Sequence, residues 1–140
     1  MNRVRSYAIS ATVMLVLDLL WLGAVAPPLY RREVGSLMRA QPDILAAALF
    51  YAIYVVGVNE FVLAALRPGD GVARAAARGA LFGFVAYATF DLTALAVLNG
   101  WTATITAVDM AWGTVLTAIV AAVTHALGAE RAERAARAPR

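Results

Sequence analysis

The sequence predicts an all-α protein, a four-helix transmembrane bundle, from its composition and from the length of its apolar runs. Hydrophobic residues make up 62% of the 140 residues and charged residues only 15%, whereas soluble domains are about 45–50% apolar and about 25% charged. A helix of roughly 20 residues crosses the hydrocarbon core of a bilayer. Four apolar runs have this length or slightly more and predict helices at residues 7–26, 44–66, 79–98 and 103–127.

Helices are favoured in these runs because an unpaired backbone group in lipid costs several kcal/mol. A soluble four-helix bundle is the alternative, but it would need a polar face on each helix, and these runs are apolar nearly all round. We expect residues 1–128 to form one four-helix transmembrane domain, followed by an Arg-rich cytoplasmic tail at residues 129–140.

The arginines predict the orientation of the bundle. If the four runs cross the membrane in alternating directions, nine of the twelve basic side chains fall on the side of the N-terminus and three on the other. The positive-inside rule then places both termini in the cytoplasm, as in a multi-pass protein of the bacterial cytoplasmic (inner) membrane. The first outer loop, Pro27–Asp43, carries Tyr30, Val34 and Leu37 at helical spacing and predicts a short interfacial helix.

Composition also excludes several classes of function. The chain has no cysteine and a single histidine, His125, so disulfides, thiol chemistry and zinc or haem sites are not expected. We predict no metal site and no cofactor. The net charge of +3 is spread over the membrane edges rather than gathered in a basic stripe, which argues against nucleic acid as a partner. The expected partner is the lipid bilayer.

Three aspartates interrupt the apolar runs: Asp18, Asp91 and Asp109. An ionised aspartate facing lipid at the centre of a membrane helix costs about 2.5–3.5 kcal/mol, so we expect all three to face the interior of the bundle. At about 1.5 Å of rise per residue, each lies roughly 10–13 Å from the outer end of its run. The three carboxylates are therefore predicted at one level, in the outer half of the membrane.

Aromatic and polar side chains are predicted around these aspartates. Tyr87 shares a helix face with Asp91, and Trp21 and Trp112 each follow an aspartate by three residues. One arc of the fourth helix carries Thr102, Thr106, Asp109, Gly113, Thr117 and Thr124. The predicted ligand- or ion-binding residues are Asp18, Asp91, Asp109, Trp21, Tyr51, Tyr54, Tyr87 and Trp112. No catalytic residue is predicted.

Structural roles compete with this interpretation. Buried aspartates can serve only as hydrogen-bonding posts between helices, threonines can serve packing, and tyrosines can fill a core. Ala75, Gly79 and Gly83 form a small-xxx-small series that indicates close helix packing or a dimer face. Glu60 shares a face with Arg67, which predicts a snorkelling pair or a close helix contact rather than a separate site.

Four strings together resemble a known family: "LDLLWLG" at 17–23, "FYAIYVVGVNEF" at 50–61, "GALFGFVAYATFDLT" at 79–93 and "VDMAWG" at 108–113. They are similar to the bacterial predicted membrane proteins called domain of unknown function 2177. The resemblance spans nearly the whole chain and implies a small four-helix integral membrane protein, with no catalytic role attached. Phe90 stands where the family pattern leads us to expect tyrosine.

Three functions remain open at this stage. The first hypothesis is that the three aspartates bind or translocate a proton, a cation or a small cationic ligand, with the aromatic rings offering cation–π faces. The second is a lipid- or isoprenoid-binding protein or a membrane enzyme at the outer leaflet. The third is a structural or assembly protein. Enzymatic activity is thus uncertain, and because four helices form a thin wall, we expect a homodimer or larger homo-oligomer.

Overall fold

The computed structural model describes residues 2–137, with side chains as far as Glu130, and the described residues form helices and turns without a strand. The α-helices are α1 (Arg3–Leu20), α2 (Ala26–Val34), α3 (Ile44–Gly57), α4 (Val72–Val97) and α5 (Ala103–Arg137). A π-helical segment, Trp21–Val25, joins α1 to α2, and a second one, Val58–Leu63, continues α3. Among the described residues, four continuous helices are long and apolar enough to cross a membrane, which confirms the predicted all-α fold with four spans.

Local chemistry accounts for where these helices begin and where the chain turns. The side chain of Asp43 accepts a hydrogen bond from the Ala46 backbone N–H at the start of α3, as capping residues do. The same N–H and the nearby Arg39 guanidinium lower the pKa of the Asp43 carboxyl. Gly69 and Gly100 have φ of 92° and 89°, which glycine adopts without the steric penalty of a side chain.

Two helices extend beyond the predicted apolar runs. The helix α4 begins at Val72, before the run at 79–98, and α5 continues past residue 127 to Arg137. These extensions are rich in alanine and arginine, which both favour helix, and the arginines end the apolar character of the run. The apolar runs in the sequence thus predict the membrane spans but not the residues at which the helices begin and end. The predicted tail at 129–140 is helical in its backbone to Arg137, and its last three residues lie outside the described part of the chain.

The helix predicted in the first outer loop is α2, and it continues the first membrane helix. Pro27 and Pro28 lie in its first turn, directly after the π segment. Because proline has no N–H group, these two residues cannot donate to the preceding turn, and the helical hydrogen bonding is interrupted there. The helix packs against α5. The Thr102 hydroxyl at the start of α5 donates to the Glu33 carboxylate at 2.9 Å, so α2 is bound to the bundle as well as positioned near its end.

The exterior of the bundle is apolar, and much of its buried interior is polar. Large apolar side chains such as Ile44, Ile53 and Val97 are about three-quarters exposed, which fits a surface covered by lipid. The three intramembrane aspartates and several hydroxyl groups are buried instead. We call the two ends of the bundle the hairpin end, at the Asn99–Gly100 turn, and the basic end, where Arg3 and Arg67 lie.

A layer of apolar side chains separates the interior into two polar regions. Met14 is fully buried, one helical turn from Ser10 towards the basic end and one turn from Asp18 towards the hairpin end. Its packing partners in the core belong to α3, the following π segment and α5. The apolar layer consists of Met14, Val55, Val58, Leu116, Val120 and the ring of Tyr54.

The helices α4 and α5 pack closely along their length because glycines of α4 face α5. At Gly83, an added Cβ would overlap the Gly113 carbonyl oxygen and the Thr117 side chain. At Gly79, it would lie 2.8 Å from the Ala121 Cβ. The small-xxx-small series thus serves packing within the chain, of the two alternatives that the sequence left open.

Gly83→Ala should therefore lower the stability of the bundle. Overpacking a close contact costs about 1–3 kcal/mol, and the overlap here involves backbone, which cannot move aside as a flexible side chain would. Thermal or denaturant unfolding of the protein in detergent micelles measures the loss. Gly35→Ala is the matched control, because no atom lies within 4 Å of the Cβ position there. Equal stability of the two variants would contradict this packing.

Candidate functional site

Asp91 is the most unusual carboxylate in the structure. It lies on α4, is 0% exposed, and neither of its side-chain oxygens has a hydrogen-bond partner among the described residues. Asp109 on α5 is its charged neighbour, close enough for the two carboxylates to interact electrostatically. A buried polar group without a partner is costly, and a buried charge far more so. We call Asp91 and Asp109 the aspartate pair.

Asp109 receives a hydrogen bond from a residue that sequence analysis did not select. The Tyr30 hydroxyl on α2 donates to Asp109 Oδ1. Tyr30 reaches α5 because α2 folds against the bundle, so a residue expected at the membrane interface becomes part of the site. The indole of Trp21 also lies beside the Tyr30 hydroxyl. Asp109 is 6% exposed, so water has little access to the pair.

Asp18 is held by a different set of donors. The Trp112 indole Nε1 on α5 donates to Asp18 Oδ1 at 3.0 Å, and the Tyr51 hydroxyl on α3 lies within its reach. The Trp21 and Trp112 rings stack with centroids 4.4 Å apart and an interplanar angle of 7°. The stacked tryptophans thus connect the two sets of donors, because Trp112 donates to Asp18 and Trp21 adjoins Tyr30, the donor of Asp109.

Tyr87 and Tyr54 occupy different places relative to the carboxylates. The Tyr87 ring lies against Gly113, where a Cβ would overlap it, and the charges of both Asp18 and Asp109 act on its hydroxyl. The Tyr54 hydroxyl is 2.7 Å from Thr117 Oγ1. Since Thr117 donates its proton to the Gly113 carbonyl oxygen, Tyr54 must donate to Thr117. The Tyr54 hydroxyl is therefore bonded to Thr117, further from the hairpin end than Asp109, rather than to an aspartate.

The structure divides the predicted group of three aspartates into a pair and a single residue. Asp91 and Asp109 interact with each other, while Asp18 is bound by Trp112 and Tyr51, with Tyr87 between the two parts. The predicted level of Asp18 was counted from Pro27, as if the helix left the membrane there. Because the helix continues to Leu37, that count does not fix its depth. We call the three aspartates, together with the tyrosines and tryptophans that surround them, the acidic site.

A polar network that was not predicted from the sequence lies at the basic end. Asn59 is buried and donates to Ser10 Oγ and to the Val55 carbonyl oxygen, each at 2.8 Å, while the Ser6 hydroxyl donates to Asn59 Oδ1 at 2.6 Å. Glu60 does not pair with Arg67 but contacts α1, as described below. A single polar residue in an apolar run gives no indication of which helix will face it, so only the tertiary structure shows these pairings.

Both polar regions adjoin a π-helical segment. Trp21 begins the segment after α1, and Asn59 and Glu60 lie in the segment after α3. A π turn widens the helix by one residue and changes the direction of the side chains that follow it, and such turns are frequent at functional sites. The segment at Trp21–Val25 helps to place Trp21 against Trp112 and α2 against α5.

Two cavities lie away from the acidic site. One, of about 480 Å³, opens at the basic end beside Glu60. The other, of about 560 Å³, is an apolar groove on the outside of α4 and α5, beside Phe84 and Met110. None of the eight predicted site residues lines either cavity. The acidic site is instead closed over its carboxylates, since Asp18, Asp91 and Asp109 are each at most 6% exposed.

Comparison with protein families finds one description, "Predicted membrane protein (DUF2177)", which matches residues 3–126. The match includes every residue of the acidic site. Comparison with curated proteins and with solved structures found no match.

Tyr30→Phe should destabilise the protein because it leaves the Asp109 carboxylate buried without its donor. The expected loss is about 1–3 kcal/mol. Denaturant unfolding of Tyr30→Phe, Asp109→Ala and the double variant forms a double-mutant cycle, and residues in contact give a coupling of about 0.5–3 kcal/mol. Asp43→Ala, at the cap of α3, is the control partner, and its effect should add to that of Tyr30→Phe. Additive effects for Tyr30 and Asp109 would show that the two do not interact.

Proposed function

The chain belongs to the DUF2177 family of predicted membrane proteins, and from the geometry of the acidic site we propose that it binds a proton or a bare inorganic cation between Asp91 and Asp109. The observation that carries the proposal is the complete burial of Asp91 with both carboxylate oxygens unpartnered among the described residues. One proton or one positive charge would satisfy the unpartnered carboxylate oxygens.

The electrostatic argument rests on the two carboxylates together. Removing an ion from water costs several kcal/mol even after the protein relaxes, and two nearby carboxylates that are both ionised repel each other. Tyr30 satisfies part of Asp109 but offers nothing to Asp91. One proton or one cation shared by the aspartate pair removes the repulsion, and its binding then belongs to the pair rather than to either residue.

The closed geometry favours a proton or a dehydrated ion over an organic cation. Asp91 is completely enclosed, and the stacked Trp21 and Trp112 rings cover the neighbouring space. An organic ligand needs a formed cavity, and the two cavities described above are lined by other residues. The tryptophan rings support the enclosure of the site rather than a cation–π contact with a ligand.

Exchange with one side of the membrane is supported by the residues at the hairpin end. Tyr30 and Glu33 are three residues apart on α2, so they lie on one face of that helix. Tyr30 contacts Asp109, and Glu33 accepts a hydrogen bond from Thr102. These groups form a polar route from the hairpin end towards the aspartate pair. Towards the basic end, the apolar layer at Met14 closes the interior.

Asp91→Asn should abolish proton binding by the aspartate pair. Infrared difference spectra across a pH titration of the protein in detergent or in vesicles should show the carbonyl band of a carboxylic acid, and this band should be lost in Asp91→Asn. Asp43→Asn is the matched control, because its side chain is outside the membrane spans and asparagine can still cap α3. The proposal is overturned if the spectra of wild type and Asp91→Asn do not differ.

The same titration distinguishes the alternatives. If sodium or potassium ions at constant pH remove the carboxylic acid band from the wild type and leave the spectrum of Asp91→Asn unchanged, the site holds a cation in exchange for the proton. A lipid or polyene that copurifies with the protein and is lost on substitution of Asp91 would favour the lipid-binding hypothesis. Unchanged spectra with normal folding of an Asn variant at all three aspartates would favour a structural role.

The proposal includes the location of the chain. The family description and the four spans establish a membrane protein. We infer that residues 1–128 form its transmembrane domain in a bacterial cytoplasmic membrane, with both termini in the cytoplasm and the acidic site in the outer half, and that the protein assembles as a homo-oligomer. The excess of arginine at the basic end supports this orientation.

Thiol labelling tests the orientation directly, because the chain has no cysteine of its own. Gln41→Cys places a thiol at the hairpin end, and Ala73→Cys places one at the basic end, both at exposed positions. A membrane-impermeant maleimide should label Gln41→Cys in spheroplasts and Ala73→Cys only after the membrane is opened. The reverse pattern would place the acidic site in the inner half of the membrane.

A further inference from the structure

The cavity at the basic end has the position of a lipid headgroup site. It has a volume of about 480 Å³, within the range of about 300–1,000 Å³ typical of small-molecule sites. Its walls come from α1, from the π segment after α3, from the turn that follows, and from α5. Arg3 and Arg67 lie at its rim, and arginines near helix ends extend their charged groups to the level of lipid headgroups.

The polar wall of the cavity is held by hydrogen bonds. Asn59 is fixed by Ser6, Ser10 and the Val55 carbonyl oxygen, as described above. The Tyr7 hydroxyl donates to Glu60 Oε1 at 2.8 Å. The π segment Val58–Leu63 therefore presents the Glu60 carboxylate in one orientation towards the cavity.

The charges around the cavity have both signs. Glu60 Oε2 is 3.7 Å from an Arg3 nitrogen, and their side chains are 37% and 80% exposed. This long, exposed pair leaves both groups open to further partners. No carboxylate lies within 4 Å of the Arg67 guanidinium among the described side chains. The cavity therefore offers two guanidinium groups and one carboxylate.

The remaining lining is apolar apart from His125, whose Nε2 lies 2.9 Å from the Asp70 carbonyl oxygen. Leu63, Leu66 and Pro68 line the cavity beside these charged groups. A ligand with a charged part and an adjoining hydrocarbon part would match both surfaces. Basic pockets between membrane helices commonly receive lipid headgroups, and a membrane lipid needs no aqueous path to this cavity.

We propose that this cavity binds the headgroup of a phospholipid that carries both a phosphate and a primary ammonium. Arg67 and Arg3 bind the phosphate, since the planar guanidinium matches its oxygens. Glu60 accepts from the ammonium, and the apolar wall contacts the start of the acyl chains. A headgroup with a phosphate but no ammonium satisfies the arginines and leaves Glu60 without a cationic partner from the lipid.

Lipid binding by the delipidated full chain in detergent tests the proposal. Native mass spectrometry with phosphatidylethanolamine, phosphatidylglycerol and diacylglycerol should show tightest binding of the first and weakest binding of the last. Arg67→Gln should weaken binding of both phospholipids about tenfold, the loss expected for a charge-assisted hydrogen bond. Arg74→Gln, on α4 outside the cavity lining, is the matched control and should bind as the wild type does.

Glu60→Gln tests the ammonium contact separately. It should reduce the preference for phosphatidylethanolamine over phosphatidylglycerol to about one, while glutamine can still accept from Tyr7. Circular dichroism checks that the variant is folded, and if it is not, Arg67→Gln and Arg74→Gln carry the test alone. Equal binding of diacylglycerol, or equal losses in Arg67→Gln and Arg74→Gln, would overturn the proposal.

Soluble compounds distinguish a lipid site from a general anion site. If inorganic phosphate or glycerophosphoethanolamine competes as strongly as the lipid, the apolar wall contributes nothing and the lipid assignment is wrong. Asp91→Asn should bind phosphatidylethanolamine as the wild type does, because the acidic site lies beyond the apolar layer. Failure of proton binding at the acidic site and failure of lipid binding here can thus be told apart.

Discussion

The cost of burying a carboxylate in a low-dielectric interior is the constraint on which the arrangement of this protein depends. Asp91 is enclosed without a hydrogen-bond donor, in a bundle whose outer surface is suited to lipid. A buried charge that is left without its ion-pair partner typically costs about 3–5 kcal/mol of stability. A fold that keeps such a group must supply a compensating charge or proton, and the adjoining Asp109 can share one with it but cannot replace it.

The close packing of α4 and α5 makes that pairing possible. Gly79 and Gly83 allow the backbones to approach, and Gly113 receives the Tyr87 ring. With larger residues at these positions, the helices would separate, the two carboxylates would move apart, and water would reach them. On another side of α5, the Trp112 side chain reaches Asp18 on α1 and stacks on Trp21. Helix packing and the electrostatics of the acidic site therefore cannot be altered independently.

The features that could be predicted from the sequence are those that depend on residues close together in the chain. Apolar runs and isolated aspartates are local features, so the four spans and the buried carboxylates were predictable. The contact of Tyr30 with Asp109 joins residues 79 positions apart, and it depends on α2 continuing the first helix. The prolines of α2 were a signal, since prolines are accepted in the first turn of a helix. Asn59 gave no comparable signal, because its partners on α1 are small hydroxyl residues common in any membrane helix.

The apolar layer determines what the acidic site can do in this conformation. Ser10 and Asp18 lie one turn on either side of Met14, so polar groups approach the layer from both ends without meeting. An ion entering the layer would lose its solvation and meet apolar side chains and the Tyr54 and Thr117 hydroxyls, which already bond to each other. Its entry would therefore cost several kcal/mol. If the acidic site binds a proton or a cation as proposed, binding and release are expected from the hairpin end. Passage of an ion to the basic end would require Met14 to move. Its unbranched, flexible side chain can change rotamer more readily than the β-branched Val55, Val58 and Val120 around it.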